Sequence, residues 1–184
     1  MVGTIKVGKL QAADGTGNTI SLESGHKLTG AAGSIVSAPG MTLQTLEGFS
    51  YVRVTSTTAT FIDTGVSVAI TPKFSTSKVL IICKNHFETN SSATAYAGLR
   101  LLRDTTNIAE IDNLIAYNYN TEEAHVTGGP GVGIVLDSPS TTSAITYKTQ
   151  FNNPNASGTT YCNADNSSSY ERSRGSIIVM EIAQ

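Results

Sequence analysis

The residues with the widest chemical range in this chain are its three histidines, His26, His86 and His125. Glu122-Glu123-Ala124-His125 sets two carboxylates near an imidazole. Such a set can hold a divalent metal or move a proton. His86 sits in Lys84-Asn85-His86-Phe87-Glu88, at the expected end of a strand. A metal or acid–base centre needs several such groups to converge, and no HExxH or similar spacing is present. An exposed loop histidine beside solvated acids is the plainer reading. We therefore expect no catalytic residues, no metal and no cofactor.

Two other chemical patterns fail on closer reading. Gly128-Gly129-Pro130-Gly131-Val132-Gly133 looks like a phosphate loop but lacks the Lys-Ser/Thr that the loop needs, and no helix pattern follows it. It reads as a flexible loop leading into a strand. No GxSxG and no Ser-His-Asp order stands out. Cys83 and Cys162 are far apart and in no metal-type spacing. Each reads as a buried free thiol, and the chain as made in a reducing cytoplasm.

The more informative candidates are loop tyrosines. Tyr117 and Tyr119 lie in Ala116-Tyr117-Asn118-Tyr119-Asn120, and Tyr170 follows the run Asn163-Ala164-Asp165-Asn166-Ser167-Ser168-Ser169. Tyrosine beside Asn and Asp suits a sugar-binding surface. The ring covers an apolar sugar face, while amides and carboxylates bond the hydroxyls. Tyr117, Tyr119, Asn120 and Tyr170 are thus a candidate ligand surface. The competing reading packs these rings at a subunit interface or over the core. Arg172 and Arg174 are weaker candidates for intersubunit pairs with Glu110 or Asp112.

The elements that must position these residues are strands. The chain has 184 residues, of which only 14% are charged, and 45 are Ser or Thr. A chain rich in Thr, Ser, Gly and Asn is a poor helix former, while β-branched Thr suits strands. Hydrophobic residues make up 39%, enough to build a core. Net charge is −2 with Lys and Arg scattered, which disfavours nucleic-acid binding. No run of apolar residues is long enough for a membrane span or a signal peptide.

Three regions separate. Residues 1–30 alternate short strand signals with Gly-rich turns. Ile5 and Val7 share one strand face, and Ile20 and Leu22 share another. That is too little for a core, and a lone hairpin of this size is marginal. Oligomerisation is the remaining route to order, with Ile5, Val7, Ile20 and Leu22 packing against sister chains. Residues 31–48 read as a linker or neck. Residues 49–184 carry frequent strand signals. The strongest are Lys78 to Cys83 and Ser176 to Ala183, expected to pair at the centre of a sheet. A turn is expected at Asp63-Thr64-Gly65 and another at Asp104-Thr105-Thr106. Residues 107–117 could form a short helix. Eight to ten short strands with turn chemistry between them predict an all-β, antiparallel, jelly-roll-like β-sandwich.

The stretch GTIKVGKLQAADGTGNTISLESGHKLTGAAGSI resembles the start of tail-fibre or head-fibre proteins of tailed bacteriophages, especially aquatic ones. SKVLIICKNHF, LLRDTTNI, VLDSPSTTSAITYKTQF and GSIIVMEIAQ resemble the distal domain of the same group. The resemblance implies a virion protein and a homotrimer, non-enzymatic, assembled in the host cytoplasm. It further implies an N-terminal β shaft or attachment segment that meets other virion proteins. The head would be jelly-roll-like, similar to the tumour-necrosis-factor type. A short fibre or knob binding host-surface glycan is the expected role; the alternative is a capsid decoration or head-fibre protein. Neither nucleic acid nor membrane insertion belongs to this expectation.

Overall fold

The structure is a computed structural model, and it describes residues 39–91, 93–119, 125–163 and 173–184. All of these belong to the unit Ser37–Gln184. Ile5, Val7, Ile20 and Leu22, with the expected shaft and the first part of the neck, lie outside the described residues.

Among the described residues there are ten strands and no helix. They are β1 (Thr42–Ser50), β2 (Val54–Ser56), β3 (Ile62–Ile70), β4 (Lys78–Ser91), β5 (Ala95–Arg103), β6 (Thr106–Asn118), β7 (His125–Asp137), β8 (Ile145–Asn152), β9 (Thr159–Cys162) and β10 (Gly175–Ile182). They form two antiparallel sheets, so the described residues are all-β, consistent with a β-sandwich.

The first sheet is organised by β4, which is long enough to serve two neighbours on one edge. Its first half pairs with β10 from Ile182↔Lys78 to Ser176↔Lys84. Its second half pairs with β9 from Phe87↔Cys162 to Asn90↔Thr159. β7 takes the whole opposite edge, from Val79↔Asp137 to Ser91↔His125. β1 then flanks β10, and β2 flanks β9. The second sheet has the order β3-β8-β5-β6. The expected pairing of the two strongest strands is present, with β10 held between β1 and β4.

Alternation decides what fills the interior. Val79, Ile81 and Cys83 of β4 face inward with Ile177 and Val179 of β10, against Val66, Val68 and Ile70 of β3 and Tyr147 of β8. At the other end Phe87, Leu99, Ile115, Phe151 and Cys162 form a second cluster, with the Phe87 and Phe151 rings 5.6 Å apart. Each such side chain, fully buried, contributes roughly 1.5–3 kcal/mol.

The structure corrects four expectations. The neck does not extend to residue 48, because β1 begins at Thr42 and pairs with β10 along its length. This covers a β10 edge that would otherwise leave its backbone groups unpaired. Asp63-Thr64-Gly65 is not a turn; β3 runs through it with an irregular register between Asp63 and Ser67, and Gly65 takes φ 81°. Residues 107–117 are strand β6, not helix. Its pairing with β5 shifts register repeatedly, so Ile108, Ile111 and Ile115 all reach the core at a spacing that imitates a helix. Finally, Gly128 to Gly133 lie within β7 rather than in a loop.

The glycines of β7 have a packing reason. A Cβ on Gly131 would come within 2.6 Å of Ile115 Cδ1, and one on Gly133 within 2.6 Å of Ile111 Cδ1. β6 closes onto β7 only because these inward positions are bare. Pro130 is tolerated because β4 is the only strand that pairs with β7 among the described residues, leaving β7 at the sheet edge.

Candidate functional site

Two outward surfaces carry features beyond a solvated sandwich. The first is the outer face of the β1-β10-β4-β7 sheet. The residues on β4 that alternate with the core set are Leu80, Ile82, Lys84 and His86. Register places Leu136 opposite Leu80, Ile134 opposite Ile82 and Val132 opposite Lys84. On the other side of β4, Met180 stands opposite Leu80 and Ile178 opposite Ile82. The result is a continuous apolar band across three strands. Ile134 is 71% exposed, and Val132 and Leu136 are also more than half exposed. Contiguous apolar area of this kind marks interaction surfaces in soluble proteins.

Charge frames the band. Lys78 and Lys84 flank it along β4. Beyond β10, Arg174 pairs with Glu47 at 2.6 Å and lies over the Phe49 ring at 4.5 Å. Arg174, a weaker candidate for an intersubunit pair with Glu110 or Asp112, is engaged by Glu47 of its own chain, while Arg172 lies outside the described residues.

The second surface belongs to the β3-β8-β5-β6 sheet. Tyr117 and Tyr119 come together at the end of β6, their rings nearly parallel at 8° with centroids 6.5 Å apart. Tyr96 of β5 continues the row, 5.9 Å from Tyr117. Tyr119 is 75% exposed, so this row is open to solvent rather than capping the core. Asn120 and Tyr170 lie outside the described residues. Sequence reasoning missed Tyr96. The signal was present in Ala95-Tyr96-Ala97, where buried alanines on either side force the ring outward.

No protein-family model and no curated protein matches this chain. The functional reading therefore rests on the geometry and on the sequence resemblance.

Beside the tyrosine row, a polar network crosses the same sheet. Arg100 Nη2 donates to Gln150 Oε1 at 2.6 Å, Gln150 Nε2 donates to Asp63 Oδ1 at 2.6 Å, and Lys148 Nζ donates to Asp63 Oδ2 at 2.9 Å. Partial burial pushes the Asp63 carboxyl up, but hydrogen bonds from Gln150 and Lys148, with the lysine charge, outweigh that and hold it below its ordinary value. Each member bonds a neighbour, so the network is a structural brace across three strands.

The reactive groups have other roles. Cys83 and Cys162 are both free and buried. Burial pushes the Cys83 thiol up to about 11 and raises Cys162 further still, which leaves both as poor nucleophiles. His86 is half-buried on the outer face of β4, opposite Pro130. Among the described residues, no group of three or more His, Cys, Asp and Glu is placed to hold a metal ion. Glu122 and Glu123 lie outside the described residues.

Proposed function

We propose that this chain is a virion structural protein of a tailed bacteriophage. In this reading it is a short homotrimeric fibre or knob, not an enzyme. The sandwich is its head and binds host-surface glycan, and residues 1–30 form the shaft that mates with other virion proteins. The observation that carries the reading is the apolar band of Leu80, Ile82, Ile134, Leu136, Ile178 and Met180. A contiguous band of this kind supports packing against further copies of the chain, as a fibre requires. The count of three comes from the sequence resemblance. The strand orders β1-β10-β4-β7 and β3-β8-β5-β6 support a jelly-roll head of the expected type. With the band covered by sister chains, the opposite sheet and its tyrosine row stay free to meet a ligand.

The test is location. Gold-labelled antibody against the chain is expected on tail tips of virions that carry this gene. Label on capsomers would replace the fibre with the decoration protein of the alternative reading. Virions without any label would overturn both.

A further inference from the structure

A depression of about 440 Å³ opens on the outer face of the β3-β8-β5-β6 sheet, next to the tyrosine row. Its walls are the rings of Phe61 and Tyr96, and its polar lining includes Glu110, Asn113 and Asn152. Its floor follows from one missing side chain. Gly98 on β5 pairs with Asn152 on β8, and a Cβ there would lie 2.5 Å from Asn152 Oδ1 and 3.0 Å from Asn113 Oδ1. The two amide oxygens therefore converge over bare backbone.

The orientation of Asn152 is fixed from behind. Its Nδ2 donates to the Ala59 carbonyl at 2.8 Å, which turns Oδ1 toward Gly98. Asn152 is 94% buried, since only 6% of its surface is exposed, and its Oδ1 accepts no hydrogen bond. That oxygen is closed to solvent, so the acceptors within a ligand's reach are those of exposed Asn113 and Glu110, which suit a ligand that donates.

We propose that this depression is a saccharide subsite that takes one neutral, polyhydroxylated ring. The proposal rests on the glycan-binding reading above and gives it a location. Sugar hydroxyls donate to Asn113 Oδ1 and the Glu110 carboxylate, while the apolar sugar face lies against Tyr96 and Phe61. Charge selects a neutral ring. Glu110 disfavours an anion. The Arg100 guanidinium, 4.0 Å over Phe61 and in register with Glu110, disfavours a cation. Tyr96 also begins the row to Tyr117 and Tyr119, so a longer glycan can continue along it.

The experiment titrates the intact protein, by calorimetry and by amide chemical shifts, with four probes. Three are neutral (maltotetraose, cellotetraose and chitotetraose) and the fourth is an anionic tetragalacturonate. At least one neutral probe is expected to bind and the anionic one to bind more weakly. Asn113→Ala, at an exposed position, is expected to weaken binding about tenfold, the scale of one lost hydrogen bond with its water-excluding contact. Tyr96→Ala is expected to weaken it at least as much. Absence of neutral-probe binding at millimolar concentration would overturn the subsite. So would binding that Asn113→Ala and Tyr96→Ala leave unchanged in folded protein. Virion labelling judges the fibre reading separately, because it does not depend on either variant.

Discussion

Ile134 on β7 stands directly opposite Ile82 on β4, and both point away from the core. A cross-strand isoleucine pair is what a buried sheet face uses, yet here it lies on the outside. If sister chains cover it, a charge at its most exposed member must be desolvated on assembly. Ile134→Asp is therefore expected to give a monomer of about 19 kDa by light scattering, where the parent has about three times the chain mass of 19.3 kDa. The fold should persist, because exposed substitutions shift stability by only about 0.5 kcal/mol. An unchanged oligomer mass in the variant would show that the band is not the assembly face.

Gly48 of β1 lies directly against β3 of the other sheet. A Cβ on Gly48 would lie 1.9 Å from the Ser67 carbonyl oxygen. The obstacle is backbone held in a strand, so it cannot swing aside as a side-chain tip can. Gly48→Ala is expected to cost on the order of 2–3 kcal/mol, the scale of an overpacked core. That far exceeds the roughly 0.5–1 kcal/mol gained by replacing a strand glycine. Urea unfolding of the two proteins measures the difference, and equal midpoints would mean that β1 can move off β3.

The sandwich was legible in the sequence because alternation survives wherever pairing is regular. Val79, Ile81 and Cys83 announced β4, and Ile177 and Val179 announced β10. Irregular pairing hid the rest. In β6 the register shifts put Ile108, Ile111 and Ile115 on one side at helical spacing. In β7 the inward positions Gly131 and Gly133 are bare and only Val135 packs on the core, so the strand showed almost no inner hydrophobic face to read. Its outward Ile134 and Leu136 read as the strand that follows a loop, and Val132 falls within that loop. Tyr117 and Tyr119 were visible as an aromatic pair, but their partner Tyr96 comes from another strand. The depression over Gly98 depends on residues from β5, β6 and β8, a convergence that register alone creates.

A buried hydroxyl ties the end of β7 to β8. Tyr147 is fully buried and its Oη donates to Asp137 Oδ2 at 2.7 Å, while Arg103 Nη1 donates to the same oxygen at 2.6 Å. Burial, then the Asp137 carboxylate, raises the tyrosine far above its ordinary value, so it stays a donor throughout the working pH range. Tyr147→Phe is expected to cost about 1.5–3 kcal/mol, as a hydrogen bond to a charged group is lost. Asp137→Ala should cost more, because it strands both the hydroxyl and the guanidinium. Chemical denaturation of both variants checks the order, and a smaller loss for Asp137→Ala would refute the shared-acceptor account.

The buried acid Glu181 gives the fold an acid limit. Gln44 Nε2 donates to its Oε2 at 2.6 Å, and the Lys73 and Phe74 amides donate to its Oε1 at 2.7 and 3.3 Å. Burial alone would raise this carboxyl, but the donors outweigh it and hold it below the ordinary 4.5. A depressed folded-state value means that the unfolded chain binds the proton more readily. The stabilisation is thus complete above the unfolded value and is lost as pH falls through the folded one. Glu181→Gln turns one acceptor oxygen into a donor facing other donors, so it should weaken the protein near pH 7. The gap between parent and variant should then narrow as pH falls below the ordinary 4.5 and the parent protonates. Melting curves from neutral to acid pH measure that gap. A constant gap across the series would mean that these donors do not favour the ionised carboxylate.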